Sequence, residues 1–203
     1  MTYPARHANS PCYHNPMNSL FNPAYTFSSF VVAPYNEMAF NAAQVITKEQ
    51  GSRYSPFFLS GGFWSGKTHL LHAIGNVLQS KNGGRAISRI FYVDGKVFAQ
   101  DIATALKKRK LTALYNYYGP AACDVLMIDG FQALEYDDVT QNVAMRIVNA
   151  LQKEAKQVVI TSTQPVHRFA VVEEYFRSEF ATGLIAEVFL PEAFVKHRDV
   201  MWG

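Results

Sequence analysis

Eight consecutive residues, Gly61, Gly62, Phe63, Trp64, Ser65, Gly66, Lys67 and Thr68, fit the spacing GxxxxGK followed by Ser or Thr. Glycines in such a loop let backbone amides turn inward around phosphate oxygens, and the helix that follows adds the positive end of its dipole. Lys67 places a point charge on β and γ phosphates, and the Thr68 hydroxyl can bind Mg²⁺. Phe63 and Trp64 are bulky but take free positions of the pattern. Further on, Val125, Leu126, Met127 and Ile128 are followed by Asp129, which reads as a buried strand with a metal-side carboxylate at its phosphate-facing end. The acid that polarises the attacking water commonly comes next, and here the next residue is Gly130. Glu135, Asp137 and Asp138 read as charges that cap and solvate the following helix. His69 and His72 stand three apart, but no third ligand of suitable spacing follows, so they do not read as a metal pair.

The elements that must position these groups alternate. Apolar runs at 57–60, 89–93, 124–128, 157–162 and 184–190 read as strands, the last three as strands covered on both faces. Helix-period segments at 37–49, 68–79, 96–108, 139–154 and 172–180 lie between and before them. That order predicts an α/β fold, helices on both faces of a mostly parallel five-stranded sheet. Residues 1–24 carry four of the nine prolines among Asn, His and Ser and read as a disordered leader.

The 203 residues are 49% hydrophobic and 17% charged, which suits one packed domain rather than a disordered or fibrous chain. The net charge of +3 is a mild excess that suits phosphates without demanding them. Cys12 and Cys123 are too isolated for a disulfide framework or a CxxC metal site. Met1 to Arg6 lead into no apolar signal core, and no run reaches the roughly 18 apolar residues of a membrane helix, so a soluble cytoplasmic protein with no membrane partner is expected.

Five segments taken in order, 22–32 (NPAYTFSSFVV), 61–75 (GGFWSGKTHLLHAIG), 124–132 (DVLMIDGFQ), 149–162 (NALQKEAKQVVITS) and 176–184 (FRSEFATGL), resemble the DnaA-like AAA+ family of bacterial replication initiators. The resemblance runs from about residue 22 to 201. It implies a three-layer α-β-α P-loop NTPase fold over 25–190, with the start of a truncated helical lid at 191–203. It further implies ATP or ADP with Mg²⁺ as ligands, assembly through nucleotide-bridged contacts, and work at replication origins. Close relatives serve as helicase loaders or initiator regulators. By the same resemblance Val31, Val32 and Asn36 belong to the adenine pocket, although the residues also read as a buried apolar edge strand. His69 falls in the family's THLLH run, which implies packing and phosphate-side hydrogen bonds.

The departures bear on turnover. Gly130 replaces the second acid, the sensor 1 position falls on Thr163 with Gln164 after it, and the arginine finger falls on Glu179. A glutamate repels a neighbour's γ-phosphate, which weighs against self-assembly around nucleotide. Arg177 matches a family position, whereas Tyr175 replaces a basic one. The lid's sensor 2 arginine and the C-terminal helix-turn-helix domain have no counterpart in these residues. Residues 98–119 match a helix pair that engages single-stranded DNA in the family. Lys107, Lys108, Arg109 and Lys110 followed by Tyr115, Tyr117 and Tyr118 suit phosphates and stacked bases. The alternative is a solvated helix C-terminus. The resulting expectation is a nucleotide-binding, poorly hydrolysing protein of DNA replication. Its rivals are a non-catalytic module that docks on an initiator or helicase and a decayed initiator paralogue.

Overall fold

The structure, a computed structural model, describes residues 20–48, 52–80, 89–177 and 183–189. Five strands, β1 (Phe57–Gly61), β2 (Ile90–Asp94), β3 (Val125–Asp129), β4 (Gln157–Ser162) and β5 (Leu184–Val188), form one sheet in the order β2-β3-β4-β1-β5. Every pairing is parallel, with Asp129 opposite Asp94 on one side and Thr161 on the other. All residues of β1 and β4 are buried, as central strands require, whereas the expectation that the run at 184–190 is covered on both faces is corrected: β5 is an edge strand with Ile185 and Glu187 exposed.

Alternation along the strands sends neighbours to opposite faces. Phe57, Leu59, Met127 and Val159 meet α1 (Glu37–Lys48) and α2 (Lys67–Gln79) on one side. Phe58, Leu126, Ile128, Val158 and Ile160 face α3 (Gly95–Lys107), α4 (Leu111–Tyr118), α5 (Asp138–Lys153) and α6 (Ala170–Arg177) on the other. Full burial of each such side chain contributes about 1.5–3 kcal/mol relative to exposure. This is the three-layer α-β-α arrangement expected.

The helix starts have local causes. Asp94 caps α3 by accepting from the Lys96 amide at 2.8 Å, and Asp137 caps α5 by accepting from the Val139 and Thr140 amides at 3.1 Å each. Glu135 departs from the solvated role expected of it. Its side chain is only 6% exposed and pairs with Arg168 at 3.1 Å.

The leader boundary at residue 24 is also corrected, because Phe21 is 1% exposed. Its ring meets His72 and Tyr92 edge-on, and a Cβ on Gly75 of α2 would lie 2.4 Å from it. A side chain so enclosed belongs to the core, so packing reaches residue 21. Residues 1–19, Glu179, Leu190 and the lid segment 191–203 lie outside the described residues. Among the described residues, no helix is long and apolar enough to cross a membrane.

Candidate functional site

The loop from Gly61 to Gly66 joins the end of β1 to the start of α2, so the amino end of α2 sits at the carboxyl edge of the sheet. Gly66 takes φ +94°, a backbone state that suits glycine, and α2 begins at Lys67. The Lys67 amine donates to the Gly62 carbonyl at 2.7 Å and to Ser65 Oγ at 3.2 Å, inside its own loop. Burial lowers its pKa to about 8 against the opposing pull of Asp129. Phe63 and Trp64 instead project outward, 62% and 93% exposed.

Asp129 closes the other side. Thr68 Oγ1 donates to its Oδ2 at 3.1 Å, Tyr92 Oη to the same oxygen at 2.9 Å, and Thr161 Oγ1 to Oδ1 at 2.5 Å. Lysine, threonine hydroxyl and carboxylate thus converge where a helix dipole presents its positive end. This donor set fits a hard divalent cation beside a polyphosphate. Thr68 and Asp129 would hold the metal. Among the described residues no cluster of three or more His, Cys, Asp or Glu side chains could hold a metal by itself.

His69, His72 and Asn76 share one face of α2 and tie it to residues 22–30. The His69 Nε2–H donates to the Thr26 carbonyl at 2.8 Å, and its ring stacks on Tyr25 with centroids 4.8 Å apart. His72 Nδ1 accepts the Asn22 amide at 2.9 Å, and Asn76 Nδ2 donates to the Asn22 and Tyr25 carbonyls, each at 2.9 Å. Burial pushes the His72 pKa below its ordinary value, in keeping with a neutral ring that accepts. These contacts account for the packing role of the THLLH run.

Val31, Val32 and Asn36 follow that segment. The edge-strand reading is corrected: Val31 and Val32 lie outside the sheet and are 78% and 44% exposed. Asn36 is buried and closes its own loop, accepting from the Ala33 amide at 2.8 Å and donating to the Val31 carbonyl at 3.0 Å. It shapes the loop on which the two valines are displayed.

The turn after β3 is built differently. Gly130 has φ +90°, and its carbonyl oxygen would lie 2.1 Å from a Cβ on Gly95, so the start of α3 is pressed onto this peptide. The Thr163 amide donates to Gln132 Oε1 at 3.0 Å. Sequence reasoning missed Tyr92, Thr161 and the Gly95 contact. A usable signal existed: Tyr92 and Thr161 are polar interruptions near the carboxyl ends of apolar strands that flank β3.

Lys107 ends α3, Lys108, Arg109 and Lys110 lead from it into α4, and all four are exposed, with Arg109 at φ +55°. The aromatic half of that expectation is corrected. Tyr118 is fully buried and donates to Asp101 at 2.7 Å, Tyr117 packs edge-on against Phe91, and the Tyr115 hydroxyl is buried. α4 has to bury one face against the core, and these rings lie on it.

A parallel sheet in this order, a phosphate loop after β1 and an acidic strand end on β3 define a P-loop nucleotide-binding fold of the AAA+ kind. The bacterial DnaA ATPase domain matches residues 21–187, and the chain belongs to that family. The chromosomal replication initiator protein DnaA of Aliarcobacter butzleri is 36% identical over 174 residues, which cover 86% of this chain and 38% of that protein. The chain therefore spans well under half the length of that relative. The crystal structure of domain III of the Thermotoga maritima replication initiation protein DnaA has a TM-score of 0.70 at 33% identity, covering 83% of this chain and 68% of that one. Replication initiator DnaA bound to AMPPCP and single-stranded DNA has a TM-score of 0.69 at 29% identity, covering 90% and 58%.

Proposed function

We propose that this chain binds ATP or ADP with Mg²⁺ and works in the initiation or regulation of DNA replication, hydrolysing ATP slowly or not at all. The convergence of Lys67, Thr68 and Asp129 at the carboxyl edge of the sheet carries the reading. Loop amides and Lys67 hold the phosphates, while Val31 and Val32 offer an apolar surface to the base. Thr68 and Asp129 would hold Mg²⁺, whose charge would offset that of the phosphate oxygens. Gly130, Thr163 and Glu179 stand where the family has groups that drive turnover. Nucleotide then acts as a ligand that sets the state of the domain for a partner such as an initiator or a helicase. Isothermal titration with ATP and ADP, with and without Mg²⁺, tests this. Micromolar binding, roughly −8 kcal/mol, is expected, and no binding at millimolar nucleotide overturns it.

A second interaction follows from the exposed Lys107, Lys108, Arg109 and Lys110. We propose that they contact the phosphates of single-stranded DNA, as the DNA-bound relative suggests, without base stacking by the neighbouring tyrosines. Four such contacts give a salt slope of roughly −3. Alanine at all four positions should remove that slope, and an unchanged slope overturns the contact.

A further inference from the structure

The carboxylate of Asp129 is held by more than the phosphate loop. Thr161 is its register partner on β4, fully buried, with Oγ1 2.5 Å from Oδ1. The same Oγ1 accepts the Gly130 amide at 3.1 Å, so the hydroxyl's single proton is directed at Asp129. Tyr92 comes from the other side, on β2, and donates to Oδ2 at 2.9 Å. An aspartate's terminal torsion is broad and nearly two-fold, so an unsupported carboxylate samples many orientations. Here one hydroxyl from each flanking strand fixes it, and Thr68 at the start of α2 completes the set.

We infer that Tyr92 and Thr161 are positioning residues for the divalent cation of the bound nucleotide: they hold the Asp129 carboxylate turned toward Thr68. The inference rests on the reading of Thr68 and Asp129 as the metal side of a nucleotide site. Groups that orient a metal ligand in this way commonly change metal affinity 10–100-fold when removed. Tyr92→Phe keeps the ring that packs on Phe21 and His72 and deletes only the hydroxyl. Thr161→Val keeps the shape and deletes the other donor, while Thr161→Ser restores it.

The test titrates ADP into each protein at a series of Mg²⁺ concentrations and again with the metal chelated. The readout is the ratio of the two affinities and the Mg²⁺ concentration that half-saturates the gain. In the wild type Mg²⁺ should tighten binding. In Tyr92→Phe and in Thr161→Val, about 10-fold more Mg²⁺ should be needed, with Thr161→Ser close to wild type. A loss confined to general stability would lower both affinities together and leave the ratio unchanged, and that result overturns the positioning role. If the wild type binds nucleotide with no response to Mg²⁺, the metal-side reading of Thr68 and Asp129 fails, and the inference falls with it. If the wild type responds and the variants match it, the inference alone falls.

Discussion

Two parts of one sheet edge, a few residues apart, are built to different standards. On the phosphate side, Lys67 is buried with two acceptors of its own and Asp129 receives three hydroxyl donors. After β3 the chain turns at Gly130 through φ +90°, and Thr163, after β4, contributes its backbone amide to Gln132. The first part satisfies its polar groups in an arrangement suited to holding an anion and a cation. The second spends its backbone on packing α3 against the turn after β3. On the function proposed, the contrast teaches that grip and turnover would rest on different residues of one edge, so that the first could persist where the second is given over to packing.

The largest effect that would break the comparison concerns grip. Lys67→Ala removes a charge-assisted contact of the kind that contributes about 1.5–3 kcal/mol, so nucleotide affinity should fall about 100-fold by titration calorimetry. An affinity within a few fold of wild type would show that Lys67 is not part of the grip. A smaller effect sharpens the same point through pH. Burial lowers the Lys67 pKa to about 8, so above that pH the free protein loses the proton that phosphate requires. Binding must then recover it, and affinity should fall by up to about tenfold per pH unit from pH 8 toward 10. Lys67→Ala should have no such slope, and a flat wild-type profile would place the ammonium away from the ligand.

The frame of this molecule was readable because parallel strands covered on both faces must be apolar throughout. β3 and β4 stood out for that reason, β5 was read the same way although it lies at the sheet edge with Ile185 and Glu187 exposed, and the loop after β1 carries its chemistry in consecutive residues. The structure's additions are contacts between residues far apart in the chain. Phe21 sits among the prolines and asparagines of an apparent leader, yet its burial depends on α2 and β2. Tyr92 and Thr161 become partners of Asp129 only once β2 and β4 flank β3. The tyrosines after the basic run read as a stacking surface because spacing alone does not say which face of α4 is turned to the core.

The smallest predicted effect bears on the turn after β3 and asks whether, on the function proposed, a carboxylate at position 130 is all that faster turnover would need. Gly130→Asp restores the acid in sequence. At φ +90° and ψ +47° the backbone is one that L residues enter at about 1–2 kcal/mol, and the new Cβ would stand 3.3 Å from Gln132 Nε2. The peptide cannot relax toward α3, because its carbonyl oxygen already occupies the space that a Cβ on Gly95 would need. The variant should therefore melt about 2–8 °C lower and hydrolyse ATP within tenfold of the wild type. A rise of 100-fold or more in turnover at unchanged melting temperature would mean that the turn accommodates the acid in working geometry. The two halves of the edge would then differ by one side chain rather than by the path of the backbone.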